Sequence, residues 1–319
     1  RSLCHQMEPS SAVSGADFGE PLLLRFFALN NELFADVNGE TVPMKRVVSA
    51  VTKIRLEDCR HLRLFVDEEG EKFLPQIALA IQKTFFYLRL HAPEIFKLEL
   101  GFHCFEMAPI IIESLKETFR HVIELSISYS PWKKPPQFSE YEAVAVMELL
   151  ESWVAKDLRS YLRSLRVYPF VKVDMKLQRA LAQCYRLRHL TLSKLHSLRD
   201  NPVFKGILSF EFDGCDLAMQ DDDLRFASRL LKMFPDGKIF NIHRVPHDCF
   251  STSLNVLVQS RGEFTVIVPW GDARTILEKL KGQITAVFSE SPNEVEAKTV
   301  HGSHFRFLSS AASHSLAPC

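Results

Sequence analysis

Glycine is scarce in this chain, 12 of 319 residues, about half the average usage of roughly 7%. Neither G-x-G-x-x-G nor G-x-x-x-x-G-K-[ST] occurs, so the backbone cradles that hold dinucleotides and nucleotide phosphates lack their glycines. G-x-S-x-G is missing as well, and with it the strained elbow that exposes a hydrolase serine. No catalytic residue and no cofactor is expected.

An excess of either charge is also lacking. Lys+Arg and Asp+Glu are 39 each, giving a formal net charge of zero. Proteins that live on a phosphate backbone usually carry a basic excess, so nucleic acid is not the expected partner. No run of 18 apolar residues occurs: IALAI (77–81) and MAPIII (107–112) are both cut short by polar neighbours. A membrane-spanning helix is therefore not expected. Arg1 and not Met opens the sequence, which allows for a preceding module. No uninterrupted apolar core follows Arg1, so a secretory signal is not expected.

The seven cysteines, at 4, 59, 104, 184, 215, 249 and 319, are odd in number, scattered, and never spaced as CxxC. That argues against a disulfide framework and for free thiols in a reducing, cytoplasmic setting.

What the sequence does have is a recurring phrase, L-x-x-L-x-L. LRSLRV carries Leu162, Leu165 and Val167, and LRHLTL carries Leu187, Leu190 and Leu192. CRHLRL, IFKLEL, VIELSI and ILSFEF supply further copies. The starts fall at 59, 95, 122, 162, 187 and 207, separated by 36, 27, 40, 25 and 20 residues. FFYLRL (85–90) also fits, but it lies only ten residues before IFKLEL. One of these two is expected to be a helix end or loop.

Helical spacing fills the intervals. FEMAPIIIESLKETF places Ile111, Leu115 and Phe119 at four-residue steps. MKLQRALAQCY puts Leu177 and Leu181 on one face, with Asp174 expected as its N-cap. DDDLRFASRLLKMF opens on Asp221–Asp223 and ends near Lys232, before Pro235-Asp236-Gly237. Acid at the start and base near the end suit the helix dipole, so the three aspartates are read as caps. SPWKKPPQFSE (130–140) reads as an inserted Pro-rich loop near 130–138, before the amphipathic FSEYEAVAVMELLESWV, with a boundary between two domains as the alternative. Beyond 235, KIFNIH, EFTVIVP, QITAVFS and HFRFLSS alternate like strands and suggest further repeats or a terminal cap.

A strand and a helix repeated at such intervals predict an α/β fold, an irregular leucine-rich-repeat solenoid with a concave parallel sheet. One unit cannot bury its apolar face alone, so neighbours must stack. The expected organisation is a loose tail over 1–20, a single solenoid over 21–310, and a second loose tail over 311–319.

On these phrases, the chain resembles the irregular leucine-rich repeats of the ribonuclease-inhibitor-like kind, over about residues 59–245. It is similar to those found behind F-box domains in ubiquitin-ligase substrate receptors, although FGEPLLLRFFALNNELFADV does not read as an F-box. The resemblance implies a module that holds another protein, here as the substrate-binding part of such a receptor.

In each phrase the residues beside the inward pair face out. They are His61, Arg63, Lys97, Glu99, Glu124, Ser126, Ser164, Arg166, Tyr168, His189, Thr191, Ser209, Glu211 and Asp213. Of these, Arg63, Lys97, Glu99, Glu124, Arg166, Tyr168, His189, Glu211 and Asp213 are the candidate protein-binding residues. Arg166, Tyr168 and His189 form the expected centre, because Arg and Tyr are enriched at binding hot spots. An ordinary solvated sheet face also carries such residues. Two other readings stay open: an α/β enzyme with its site on strand-end loops, and a scaffold with no defined ligand. Three groups have metal-ligand residue types, namely His103-Cys104 with Glu106, His243 with His247, and His301 with His304. Pro246 and the strand-like setting of His243 break the geometry of the second group, and histidines on loops and exposed strand positions are the commoner explanation for all three, so no metal is expected.

Overall fold

A computed structural model describes residues 20–67, 73–92, 94–102, 107–129, 140–173, 175–195, 202–213, 226–243, 262–268, 278, 280, 282–291 and 294–309. Among them are fourteen strands and six α-helices, a mixed α/β structure whose strands are mostly parallel. The chain divides into two compact units, one of residues 1–150 with 318–319 and one of residues 151–317.

In the first unit the strand order is β6-β5-β4-β1-β2-β3. Strands β1 (Leu22–Leu29), β2 (Glu32–Val37) and β3 (Glu40–Pro43) form an antiparallel meander. Its two turns are Asn30-Asn31, with φ of 53° and 63°, and Asn38-Gly39, with φ of 50° and 89°. Positive φ at both central residues is what a two-residue type I′ hairpin needs. β4 (His61–Val66), β5 (Lys97–Phe102) and β6 (Glu124–Tyr129) then follow parallel to β1. The helices of this unit are α1 (Val47–Val51), α2 (Leu74–His91), α3 (Met107–Thr118) and α4 (Glu140–Trp153), the last running past its boundary. FFYLRL belongs to α2, and IFKLEL to a strand. Pro75 sits in the first turn of α2, where its missing N–H costs nothing, and Arg89 and His91 close the last turn.

In the second unit, β7 (Ser164–Val173), β8 (His189–Leu195), β9 (Ser209–Asp213), β10 (Ile239–His243) and β11 (Glu263–Val268) run parallel in sequence order. β14 (His304–Ser309) joins β11 in parallel, while β13 (Glu294–Thr299) and β12 (Ile284–Glu290) are added antiparallel. QITAVFS is thus the outer strand of a terminal antiparallel ribbon and not another parallel step. Helices α5 (Met175–Ala182) and α6 (Phe226–Met233) lie between strands. Asp174, Asp221–Asp223 and the Pro-rich stretch at 130–139 fall outside the described residues, so their expected roles do too.

All six phrases behave alike. Each strand starts at the third residue: His61, Lys97, Glu124, Ser164, His189 and Ser209. The first and fourth positions are buried in every copy, from Cys59 and Leu62 to Ile207 and Phe210. Leu64, Leu100, Ile127, Val167 and Leu192 are buried at the sixth. Each such side chain contributes about 1.5–3 kcal/mol by leaving water. The carbonyl of the second residue also recurs as an acceptor. Arg60 O receives the N–H groups of Phe96 and Lys97, and Phe96 O receives those of Ile123 and Glu124. In the second unit, Arg163 O, Arg188 O and Leu208 O do the same for the next strand.

The second unit's core is aromatic. Phe210, Phe240, Phe264 and Phe305 share one register position on successive strands. The rings of Phe240 and Phe264 stack at 5.2 Å, and those of Phe264 and Phe305 at 5.0 Å. Phe234, just after α6, stacks on Phe210 at 3.9 Å.

Candidate functional site on the polar strand face

Because side chains alternate along a strand, burying positions four and six sends positions three and five to the other face. Parallel pairing in constant register then sets these polar residues side by side. In the first unit, His61, Lys97 and Glu124 form one row, and Arg63, Glu99 and Ser126 the next.

Glu99 is the hub of this cluster. Its Oε1 lies 3.1 Å from His61 Nε2 and 3.2 Å from Lys97 Nζ, and its Oε2 lies 2.8 Å from Arg63 Nε. Lys97 also approaches Glu124, at 3.8 Å. Although close, neither His61 Nε2 nor Arg63 Nε aims its bond at the oxygen as a hydrogen bond requires. These contacts are ionic more than directional. Burial works to raise the Glu99 carboxyl, but the close contact with His61 and the positive charges of Lys97 and Arg63 outweigh it. The carboxyl is held down at about 2. It stays anionic at any physiological pH, which suits a fixed anchor and not a proton carrier.

His61, expected to face solvent, is instead buried. It sits at the start of its strand, covered by the charged side chains that converge on Glu99. A residue outside the expected set also shapes this face. Phe65, next to Arg63 along β4's outer side, lies opposite Gly101, and the Arg63 guanidinium sits over its ring at 5.5 Å from the centroid. Phe65 is an outward aromatic in HLRLFV, readable as position seven of its phrase.

In the second unit the polar row runs Arg166, Thr191, Glu211, Asn241, Thr265 and Arg306. Thr191 Oγ1 donates to Glu211 Oε2 at 3.2 Å, and Arg166 lies 4.0 Å from that carboxylate. The Arg166 side chain is 44% exposed, so its guanidinium is held loosely. His189 occupies the row before, between Ser164 and Ser209. Tyr168 sits in β7 where the register with β8 breaks, between Val167 and Lys172. Pro169, which follows it, has no N–H to give to a ladder. The side chains of Tyr168 and Asp213 lie outside the described residues. Arg63, Lys97, Glu99 and Glu124 are thus gathered into one cluster, and Arg166 and Glu211 into another. At the far side, His304 Nε2 contacts Glu296 at 3.0 Å and Arg306 Nε donates to Glu294 at 2.8 Å. His304 and Arg306 come from the strand-like phrase HFRFLSS, and Glu294 and Glu296 from EVEAKT beside it.

A shallow, open depression is lined by Arg188, Gly206, Leu208, Pro235, Asp236, Gly237 and Lys238. Two of its charged groups, Arg188 and Asp236, already brace loops. Asp236 Oδ2 accepts from the Gly206 N–H at 2.8 Å, and Arg188 Nη1 donates to the Gly206, Leu187 and Tyr185 carbonyls. Among the described residues, no three His, Cys, Asp or Glu side chains are placed to hold a metal ion. Nor is any helix among them long and apolar enough to cross a membrane. Cys59 and Cys184 are free and buried.

Compared with known proteins, the chain matches no family model and no curated protein.

Proposed function

We propose that the chain is a non-enzymatic recognition module, an irregular leucine-rich-repeat solenoid that holds another protein on the polar face of its parallel strands. One observation carries this reading. The outward positions of separate phrases fall into continuous rows, with hydrogen-bonding side chains set side by side from Arg166 through Thr191 and Glu211 to Asn241 and Thr265. Such a row offers a protein surface many directed contacts at fixed spacing, with an exposed arginine at one end. By resemblance, the protein held is the substrate of an F-box-type ubiquitin-ligase receptor, acting in the cytoplasm.

An enzyme needs a pocket that excludes water around groups poised to move protons. In the open depression beside Arg188, Arg188 and Asp236 are committed to backbone, and the strongly shifted Glu99 is locked in its charged form. Both features favour binding over catalysis.

The test is affinity capture from lysate with the wild-type chain and with an Arg166→Glu, Tyr168→Ala, His189→Ala variant. Both proteins must first match in circular dichroism and melting. A partner retained by the wild type and shed by the variant supports the polar-face reading, and ligase components in the catch support the receptor role. Equal captures overturn it in favour of a site on the strand-end loops.

A further inference from the structure

Helix α2 is apolar on two sides. Its inner side buries Ile77, Ile81, Phe85 and Leu88 in the core. Its outer side leaves three large apolar side chains in solvent: Leu79 at 52%, Phe86 at 66% and Leu90 at 61% exposure. A surface helix normally confines its apolar residues to one stripe, so a second stripe marks a face that is covered in the working state.

The spacing says by what. Leu79, Lys83, Phe86 and Leu90 follow one another at four, three and four residues, the a/d repeat by which one helix packs along another. At 100° per residue these four side chains fall within an arc of roughly 60°. The charge says whose helix. α2 carries Lys83, Arg89 and His91 and has no Asp or Glu anywhere along it. Lys83 stands in the middle of the apolar seam, is exposed, and makes no ion pair among the described residues. The stacked Tyr87 and His91 rings, 4.2 Å apart, flank the seam. A second copy of this chain fits poorly, because a two-fold contact sets the patch against itself and so offers the cations of α2 no carboxylate.

We propose that the outer face of α2 docks an amphipathic helix of a partner protein, one with an apolar seam at the same spacing and a carboxylate opposite Lys83. Phe86 and its two leucines supply the contact area, and Lys83 selects the partner by charge and fixes its register. This surface is independent of the polar strand face, so either can fail without the other.

The test uses two synthetic helical peptides, titrated against the full chain by fluorescence anisotropy. Both carry leucines at three of four seam positions spaced four-three-four. One has glutamate at the interior fourth position with acidic flanks, the other lysine there with neutral flanks. The wild type is expected to bind the glutamate peptide with a dissociation constant on the order of 10 µM, weakening with salt. It should bind the lysine peptide at least about tenfold more weakly. Phe86→Ser should weaken the glutamate peptide about tenfold or more. Lys83→Glu should reverse the preference, a result that general unfolding cannot mimic. Both substituted residues are exposed, and unchanged circular dichroism confirms the fold. No binding of either peptide at about 1 mM, or equal binding of both, overturns the proposal. Sedimentation of the chain as a dimer that Phe86→Ser dissociates would also overturn it, by assigning the face to a second copy.

Discussion

The ring of Phe65 lies over Gly101 on the neighbouring strand, leaving no room for a side chain there. A Cβ built on Gly101 would stand 2.4 Å from Phe65 Cδ1 and 2.7 Å from Cε1. Gly101→Ala must therefore displace the ring or bend β5, at an expected cost of about 1–3 kcal/mol. Chemical denaturation measures it. The double variant Gly101→Ala, Phe65→Ala should lose less than the sum of the two single changes, because the clash has gone.

Glu99 ties acid stability to the first unit's cluster. Its carboxyl sits near 2 in the folded chain against 4.5 ordinarily, so the unfolded state binds its proton first. The stability this confers is complete above about pH 4.5 and fades as pH falls through about 2. Its size is at most about 3 kcal/mol. Urea midpoints between pH 7 and pH 2 should fall for the wild type, and Glu99→Gln should flatten that window while lowering stability at pH 7.

Burial pushes the Cys184 thiol up to about 12 and raises that of Cys59 as well. At pH 8 the thiolate of Cys184 is then on the order of one part in ten thousand, and alkylation needs the thiolate. Iodoacetamide treatment of the native chain, read by peptide mass spectrometry, should leave both residues unmodified. Denaturant should make both reactive. Modification of Cys184 in the native chain would contradict its buried position.

The aromatic ladder of the second unit should be stiff and costly to break. Phe264 stacks between Phe240 and Phe305, so Phe264→Ala removes ring contacts on both sides at once. The expected loss is about 3–5 kcal/mol, and Phe264→Leu should cost less. A lower urea midpoint with an unchanged slope would separate lost packing from a changed unfolded state.

Much of this architecture was legible in the phrases, because burial on one face of a strand leaves a period of two. Leu187, Leu190 and Leu192 announce inward positions, and Ser164 and His189 mark strand starts. The meander β1–β3 went unread, although Asn38-Gly39 between FADV and ETVP carries a strong hairpin signal. EVEAKT escaped because glutamate and lysine are poor strand formers, and pairing with β14 and β12 overrides that preference. Of the candidate site, sequence named the members of the Glu99 cluster but not their convergence. Their meeting depends on lateral register, which a single phrase does not encode. His61 reads as exposed by alternation, yet large charged neighbours on adjacent strands cover it.

Within each unit, the second residue of a phrase offers its carbonyl to the backbone of the next. Each strand reached in this way is addressed by its predecessor and not by its distance along the chain. Intervals of 36 residues between 59 and 95, and of 20 between 187 and 207, lead to the same in-register partners. Connecting segments of such a protein are free to lengthen, shorten or diverge in composition while the rows of side chains keep their alignment.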